Sequence, residues 1–347
     1  MINNMGRPRK LIIEKIMSDE DVCKLRGEWV DDSYVKLPVI RENTDVYYKD
    51  DNGDLKLLLK FRKNCIKNSL IRIGWDSYKD LAKPSRGRGA SAGPIDSESV
   101  YWKKRNLAQT SKWSTSYLKS DGEVSKMKVN NQVASNPIGY WSSQKNFCEL
   151  PCRLTHFTRV NYNKYNEGLP FIQKIDEMFK KLIPDAHTKQ LERADLKPHL
   201  KIPETSFSTI TINRNFRTAL HQDAGDFKQG FGNLTVIERG KYHGGNTCFP
   251  QFGVAVDARS GDFLAMDVHQ WHSNTPIYET KEDKEYNDTL DWVFKDNPKV
   301  GTVGLDKKYT RLTFVCYLRE KIIECPDTIP EEYLKESGHA KIVLNND

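Results

Sequence analysis

The chain has 347 residues, more than the roughly 100–200 of an ordinary domain, so it holds one large domain with insertions or a catalytic domain with an N-terminal accessory region. Aliphatic and aromatic residues make up 37% of it and charged residues 29%, enough apolar material for a core, which excludes a wholly disordered chain. The net charge of +7 suits a polyanionic partner without requiring one.

Charge is unevenly spread: residues 53–128 carry a basic excess with interleaved aromatics, and 279–296 are acidic. Seven cysteines make an odd number with no CxxC pair. Cys148 and Cys152 are close, but no further zinc ligands accompany them, so reduced thiols of an intracellular protein are expected. No apolar run approaches the ~18–20 residues of a membrane span, and the N-terminus lacks the apolar stretch of a signal peptide. The expected location is the nucleus in a eukaryote and otherwise the cytoplasm, or the infected host cell if the source is viral.

In chain order, residues 1–12 form a short basic tail around Gly6-Arg7-Pro8-Arg9-Lys10, and 13–31 read as a helix. Residues 55–61 (LKLLLKF) predict a strand. The stretch 83–96, KPSRGRGASAGPID, is loop chemistry within a patterned N-terminal α/β region spanning 13–149. Residues 107–134 are polar and serine-rich and carry no assignable period.

A core follows over 150–325. Residues 153–160 alternate like a strand, and 169–183 have a helical period that stops at Pro184. Short strand-like runs at 206–213, 218–222, 233–237, 247–249, 253–256, 262–268 and 310–318 are separated mostly by glycine-rich turns. Together they predict an all-β sandwich or barrel core with helices in front, and so an α+β protein. A charged insertion, 279–308, interrupts the core, and 326–347 form a C-terminal tail.

Within FRTALHQDAGDF, His221 and Asp223 stand two apart, which on extended backbone puts imidazole and carboxylate on one face. Two histidines and one carboxylate leave three positions open on an octahedral ion, as non-haem Fe(II) requires to take a co-substrate and O2 together. The second histidine comes from AMDVHQWHSNTP, where His269 and His272 fall on opposite faces. His272, at the strand end before the Ser273–Pro276 turn, suits a ligand at a barrel mouth, and His269 is the alternative. In YTRLTFVCYLRE, Arg311 and Thr313 share a strand face; the arginine pairs either with a dicarboxylate co-substrate through a bidentate fork or with a local acid. Gly244-Gly245 and Gly261-Asp262 read as structural turns, and His243 as a residue outside the ligand set.

The order HxD, GGNTCFPQFGVAVDARSGDFLAMD, WHSNTP, TRLTFVCY resembles the TET and J-binding-protein superfamily of Fe(II)/2-oxoglutarate nucleobase dioxygenases, most closely its algal and viral branch. The resemblance is specific over about 150–320 and looser upstream. It implies a double-stranded β-helix (jelly-roll, cupin-like) core with flanking helices and an N-terminal extension. It further implies iron on His221, Asp223 and His272, a co-substrate carboxylate on Arg311, and oxidation of the methyl of 5-methylcytosine or thymine in DNA. Asp226 falls where an ascorbate-using algal member carries an acid important for its co-substrate, so 2-oxoglutarate and ascorbate both stay open. The charged insertion between His272 and Arg311 departs from the plain family pattern, which places that arginine closer. A protein or small-molecule hydroxylase, or a DNA-binding relative without turnover, shares the fold.

For nucleic acid, Arg7 and Arg9 resemble a minor-groove AT-hook core. Arg86, Arg88, Lys103, Lys104 and Arg105 with Tyr101 and Trp102 suit either phosphate contact with a stacking platform or a solvated loop over buried aromatics. Asn213, Arg214 and Asn215 precede the HxD motif and are candidates for reading an extruded base.

Overall fold

Alternation along the strand β11, Thr310–Tyr317, sets the architecture: Leu312, Phe314 and Cys316 are fully buried on one face, while Arg311, Thr313, Val315 and Tyr317 take the other. In the computed structural model, residues 7–81, 83–98, 102–111, 114–143, 152–294, 302–303 and 306–328 are described. Chain order gives β1 (Arg9–Ile13), β2 (Thr44–Lys49), β3 (Leu55–Arg62), β4 (Gln132–Trp141), β5 (Thr209–Arg214) and β6 (Gly232–Arg239). Then come β7 (Thr247–Phe249), β8 (Val254–Val256), β9 (Phe263–Met266) and β10 (Ser273–Asn274) before β11.

The main sheet runs β1-β2-β3-β9-β6-β11-β5-β4, antiparallel except for the parallel β1–β2 pair. Its register sets Thr313 beside Asn213 on one side and Val236 on the other. The second sheet, β8-β7-β10, is extended by the antiparallel bridge His221–His272. Two facing sheets of this kind are the jelly-roll solution to the edge problem, and the mixed α+β class agrees.

Each face of the main sheet has its own core. On one, the helices Asn68–Tyr78 and Leu169–Leu182 press Phe171, Ile175 and Phe179 onto Ile212 and Phe314, with the Phe171 and Phe314 rings 5.0 Å apart, edge to face. Gly74 makes this approach possible, because a Cβ there would stand 2.8 Å from the Phe171 ring. The other face meets the second sheet through Leu234, Val236, Phe249, Val254, Val256 and Leu264.

Several expectations are corrected. The helix read over 13–31 is confined to Asp19–Lys24, started by Ser18 accepting from Asp21 N. The tail read as 1–12 is strand from Arg9, because Leu11 and Ile13 alternate toward the core. The 153–160 run is a strand of two residues and then the helix His156–Val160, which turns Phe157, Thr158 and Arg159 inward together. Residues 218–222 supply a bridge at His221 and no strand of their own. The polar 107–134 stretch contains a three-stranded antiparallel sheet, Leu107–Ser111, Ser114–Leu118 and Val124–Val129.

Not all thiols are reduced: Cys152 and Cys325 are bonded, 173 residues apart, where Ala194, Leu200, Leu318 and Ile322 gather their segments into one apolar cluster. Cys23, Cys65, Cys248 and Cys316 are free, and Cys148 lies outside the described residues. Within the insertion, Lys281–Asp288 is a helix started by a Thr280/Asp283 capping box. The expected C-terminal tail, 326–347, lies outside the described residues beyond 328, and so do residues 1–6. No helix among the described residues is long and apolar enough to cross a membrane.

Candidate metal centre and its cavity

The His221–His272 bridge faces two imidazoles across adjacent backbones, each amide donating to the other's carbonyl at 3.0 Å. Each ring is then fixed by its own chain. His221 Nδ1 lies 2.8 Å from the Ala219 carbonyl and His272 Nδ1 2.9 Å from that of Gln270, contacts that place N–H on Nδ1 and leave the Nε2 lone pair outward. Asp223 Oδ1 lies 3.6 Å from His221 Nε2, and its Oδ2 lies 3.6 Å from His272 Nε2. These separations are long for hydrogen bonds and near the ~3 Å between octahedral ligands about 2.0–2.2 Å from a divalent ion. All three ligand atoms lie within 4.8 Å of one another, and they are the one such group among the described residues.

Electrostatics agree with a cation site. Burial, then the neighbouring His272, pushes the His221 imidazole down to about 4, which keeps it neutral and available. Burial alone would raise Asp223, but the adjacent imidazoles, His272 foremost, and then Arg88 outweigh it and hold the carboxyl down to about 2. For His272 burial is likewise outweighed by Asp223, and the group is raised.

His269 stands outside this group. It sits in the turn before the bridge, its Nε2 3.3 Å from the Phe227 carbonyl, while its own carbonyl takes the Gln222 amide. His243 is a surface residue paired with Asp283 at 3.0 Å.

The triad opens into a cavity of about 240 Å³. Asn213 and Thr313 line it, with Asn213 Nδ2 donating to Thr313 Oγ1 at 3.1 Å and its Oδ1 accepting from Ser135. Asp226 lines it too, well above the usual carboxylate range through burial and then the Asp223 charge, with Arg319 opposing. Asp226 Oδ2, Thr247 Oγ1 and Ser273 Oγ are buried there with no hydrogen-bond partner, polar atoms that a polar ligand would satisfy.

Arg311 lies on the same strand face but does not line this cavity. Its Nη2 donates to the Gly245 carbonyl at 3.0 Å, close enough that a Cβ on Gly245 would meet the Arg311 Nε at 3.3 Å. Asn215, expected at the pocket, is a buried brace: its Oδ1 accepts from Arg311 N and its Nδ2 donates to the Tyr309 carbonyl, on left-handed backbone at φ 48°.

Arg88, expected on a DNA-facing loop, reaches into the cavity, 3.3 Å from Thr211 Oγ1. The rest of that basic set stays outside. Arg86 and Arg105 flank Trp102, whose ring is buried with its Nε1 on Asn131 and so offers no stacking platform; Lys103 and Lys104 are exposed. Tyr101 lies outside the described residues; Arg7 and Arg9 are exposed on the first strand and its approach. Arg214 is buried at the end of β5 with its guanidinium 3.7 Å from the Phe294 ring.

Sequence reasoning missed Arg319, Tyr317 and Trp141, all lining the cavity. Arg319 and Tyr317 continue the 311–313–315 alternation and were there to be found; Trp141, which stacks 4.1 Å from the Arg319 guanidinium, gave no local signal.

Residues 136–320 match the family model described as the oxygenase domain of the 2OGFeDO superfamily. Among curated proteins, the thymine dioxygenase JBP1-A of Trypanosoma cruzi is 33% identical over 207 residues, 60% of this chain and 22% of that protein. JBP1 of Trypanosoma brucei brucei is 34% identical over 177 residues, 51% and 21%. The bifunctional helicase and thymine dioxygenase JBP2 of Leishmania major is 31% identical over 182 residues, 52% and 14%. The chain thus spans about a fifth or less of the length of these relatives. A solved structure of NgTET1 in complex with 5mC DNA covers 96% of this chain and 90% of its own at 12% identity and a TM-score of 0.48. With more than half of its residues inside the family match, the chain belongs to the Tet/JBP oxygenases of the 2OGFeDO superfamily, the Fe(II)- and 2-oxoglutarate-dependent dioxygenases.

Proposed function

We propose that the chain oxidises the 5-methyl group of a pyrimidine in DNA, thymine or 5-methylcytosine, using Fe(II), O2 and 2-oxoglutarate. The observation that carries this reading is the pair of carbonyl-tethered imidazoles flanking Asp223 in a polar cavity, inside the family match. The naming of the curated relatives as thymine dioxygenases supports a pyrimidine methyl as the target.

His221 and His272 hold the ion through Nε2, and Asp223 adds one negative charge. When bound, the ion with 2-oxoglutarate and O2 supplies C–H oxidation, one oxygen atom entering the methyl carbon and the other the succinate formed as CO2 leaves. Arg311 is the proposed anchor for the distal carboxylate of the co-substrate; it stands outside the cavity wall on the strand face that carries Thr313, and its guanidinium would exchange the Gly245 carbonyl for that carboxylate. Buried Asp226, its carboxyl shifted upward by burial and then by the Asp223 charge, has an unpartnered Oδ2 that a co-substrate oxygen, of 2-oxoglutarate or ascorbate, would meet. Arg88 and Arg319 in the cavity wall would orient the anionic co-substrate toward the ion.

The test is co-substrate consumption by iron-loaded protein with methylated duplex, unmethylated duplex, free nucleoside or no acceptor. Succinate release that duplex DNA stimulates is the expected outcome. Ascorbate consumption in its place would move the co-substrate, and no stimulation by DNA would remove the polymer from the reading.

A further inference from the structure

The glycine-rich stretch that carries Arg88 is stitched down at both ends. Pro84 and Ser85 pair with Ala134 and Val133 of β4, and Ser85 Oγ donates to the Ser135 carbonyl. Gly89–Ala92 then form one turn of 3-10 helix, where Ser91 Oγ donates to the Arg88 carbonyl at 2.8 Å. One side chain holds the far end. Asn131, just before β4 and 7% exposed, donates from Nδ2 to the carbonyls of Ala92, Gly93 and Pro94 at 3.1, 3.3 and 2.8 Å. Its Oδ1 accepts from Trp102 Nε1 at 3.2 Å, which fixes the direction of the amide. Gly93, at φ 78°, lies so close to Trp29 that a Cβ would stand 2.1 Å from the ring.

Two lines run from this clasp to the metal site. On one, Arg88 reaches the cavity wall, where the one hydrogen bond of its guanidinium among the described residues goes to Thr211 Oγ1 at 3.3 Å. That is long for such a bond, so the loop backbone decides where the cation stands. On the other, the Ser91 carbonyl accepts from Ala219 N at 2.9 Å, and the Ala219 carbonyl in turn holds His221 Nδ1 at 2.8 Å. We infer that Asn131 is a positioning residue of the dioxygenase site: by clasping the 88–94 loop it sets Arg88 in place for the co-substrate anion. The N-terminal region is thereby a working part of the metal cavity. The inference rests on the reading of the site as one that takes 2-oxoglutarate beside iron.

The experiment is anaerobic titration calorimetry of 2-oxoglutarate into full-length iron-loaded protein, comparing Asn131→Ala, Arg88→Ala and the double variant. Each single substitution should weaken binding by about tenfold or more, the size of a lost charge-assisted hydrogen bond. The double variant should bind no more weakly than Arg88→Ala, because Asn131 acts through that arginine. Losses that multiply in the double variant, or wild-type affinity in either single one, overturn the inference.

Iron stoichiometry and melting temperature report whether Asn131→Ala folds. If it does not, Ser91→Ala removes only the hydroxyl that holds the Arg88 carbonyl. It should weaken 2-oxoglutarate by about 2- to 10-fold in the wild-type background and not at all beside Arg88→Ala. An unchanged affinity in the wild-type background overturns the inference. Variants that bind like a wild type that oxidises a base remove the clasp alone and leave the proposed reaction standing. A wild type that holds iron but binds no 2-oxoglutarate overturns the co-substrate reading and this inference together.

Discussion

The metal side of the cavity and its cationic side are satisfied in different ways. Both imidazoles spend Nδ1 on a carbonyl two residues back and are clamped by a reciprocal backbone bridge, so the orientation of these two ligands is fixed before any ion arrives. Arg88 and Arg319 in the cavity wall are each bonded to a hydroxyl, and Arg311, outside the wall on the same strand face, to a carbonyl; none has a carboxylate at ion-pair distance among the described residues. One half is preorganised; the other holds positive charge that anionic ligands neutralise on arrival. Substitutions on the first half should therefore act on turnover, and on the second half on KM.

The largest effects belong to the metal side. His221→Ala, Asp223→Ala and His272→Ala should each abolish iron binding and turnover, whereas His269→Ala keeps iron and most activity, measured by iron content after anaerobic loading and by succinate release. Loss of iron from His269→Ala with retention in His272→Ala would reverse the ligand assignment.

On the cationic side, Arg311→Ala should raise the co-substrate KM by about 10- to 100-fold with little change for DNA, the size expected for losing a charge-assisted hydrogen bond. Steady-state kinetics on Arg311→Ala and Arg88→Ala together sharpen the contrast. If only Arg88→Ala moves that KM, the carboxylate anchor lies on the loop and not on the strand.

How much of this was legible in the sequence follows the same division. His221, Asp223 and His272 belong to short motifs whose chemistry is local, and strand alternation alone separates His272 from His269. Arg88 arrives from a glycine-rich loop 133 positions before His221, and nothing in loop chemistry says where a loop returns. The same holds for Cys152 and Cys325, joined by packing between segments that share no pattern. Asn215 was read by its place beside HxD, yet its left-handed backbone turns its amide to the main chain of residues 309 and 311. Residues 153–160 depart from the expected strand because a five-residue helix is too short to display its period.

Those tertiary links give the next predictions. Cys152→Ser/Cys325→Ser should lower stability by about 2–4 kcal/mol in denaturant titration without removing iron, since the bond ties the segment beyond Arg319 to the two-residue strand at Arg153. Asn215→Ala should cost about 1–3 kcal/mol, because it strands the Arg311 amide and the Tyr309 carbonyl in the interior, and a lower melting temperature with unchanged DNA affinity is its signature. Smallest of all, Lys103→Gln/Lys104→Gln, two exposed charges outside the metal cavity, should leave the salt slope of DNA binding within about one unit of wild type. A larger drop would return the polymer contact to the loop beside Trp102.

The most direct measurement of the central claim is nucleoside mass spectrometry of DNA digested after incubation with iron-loaded protein, O2 and 2-oxoglutarate, beside a His272→Ala control. The expected result is a thymidine or 5-methyldeoxycytidine product heavier by one oxygen atom that requires both iron and co-substrate and is missing from the control. Unaltered nucleosides from a protein that holds stoichiometric iron and turns over 2-oxoglutarate would contradict it.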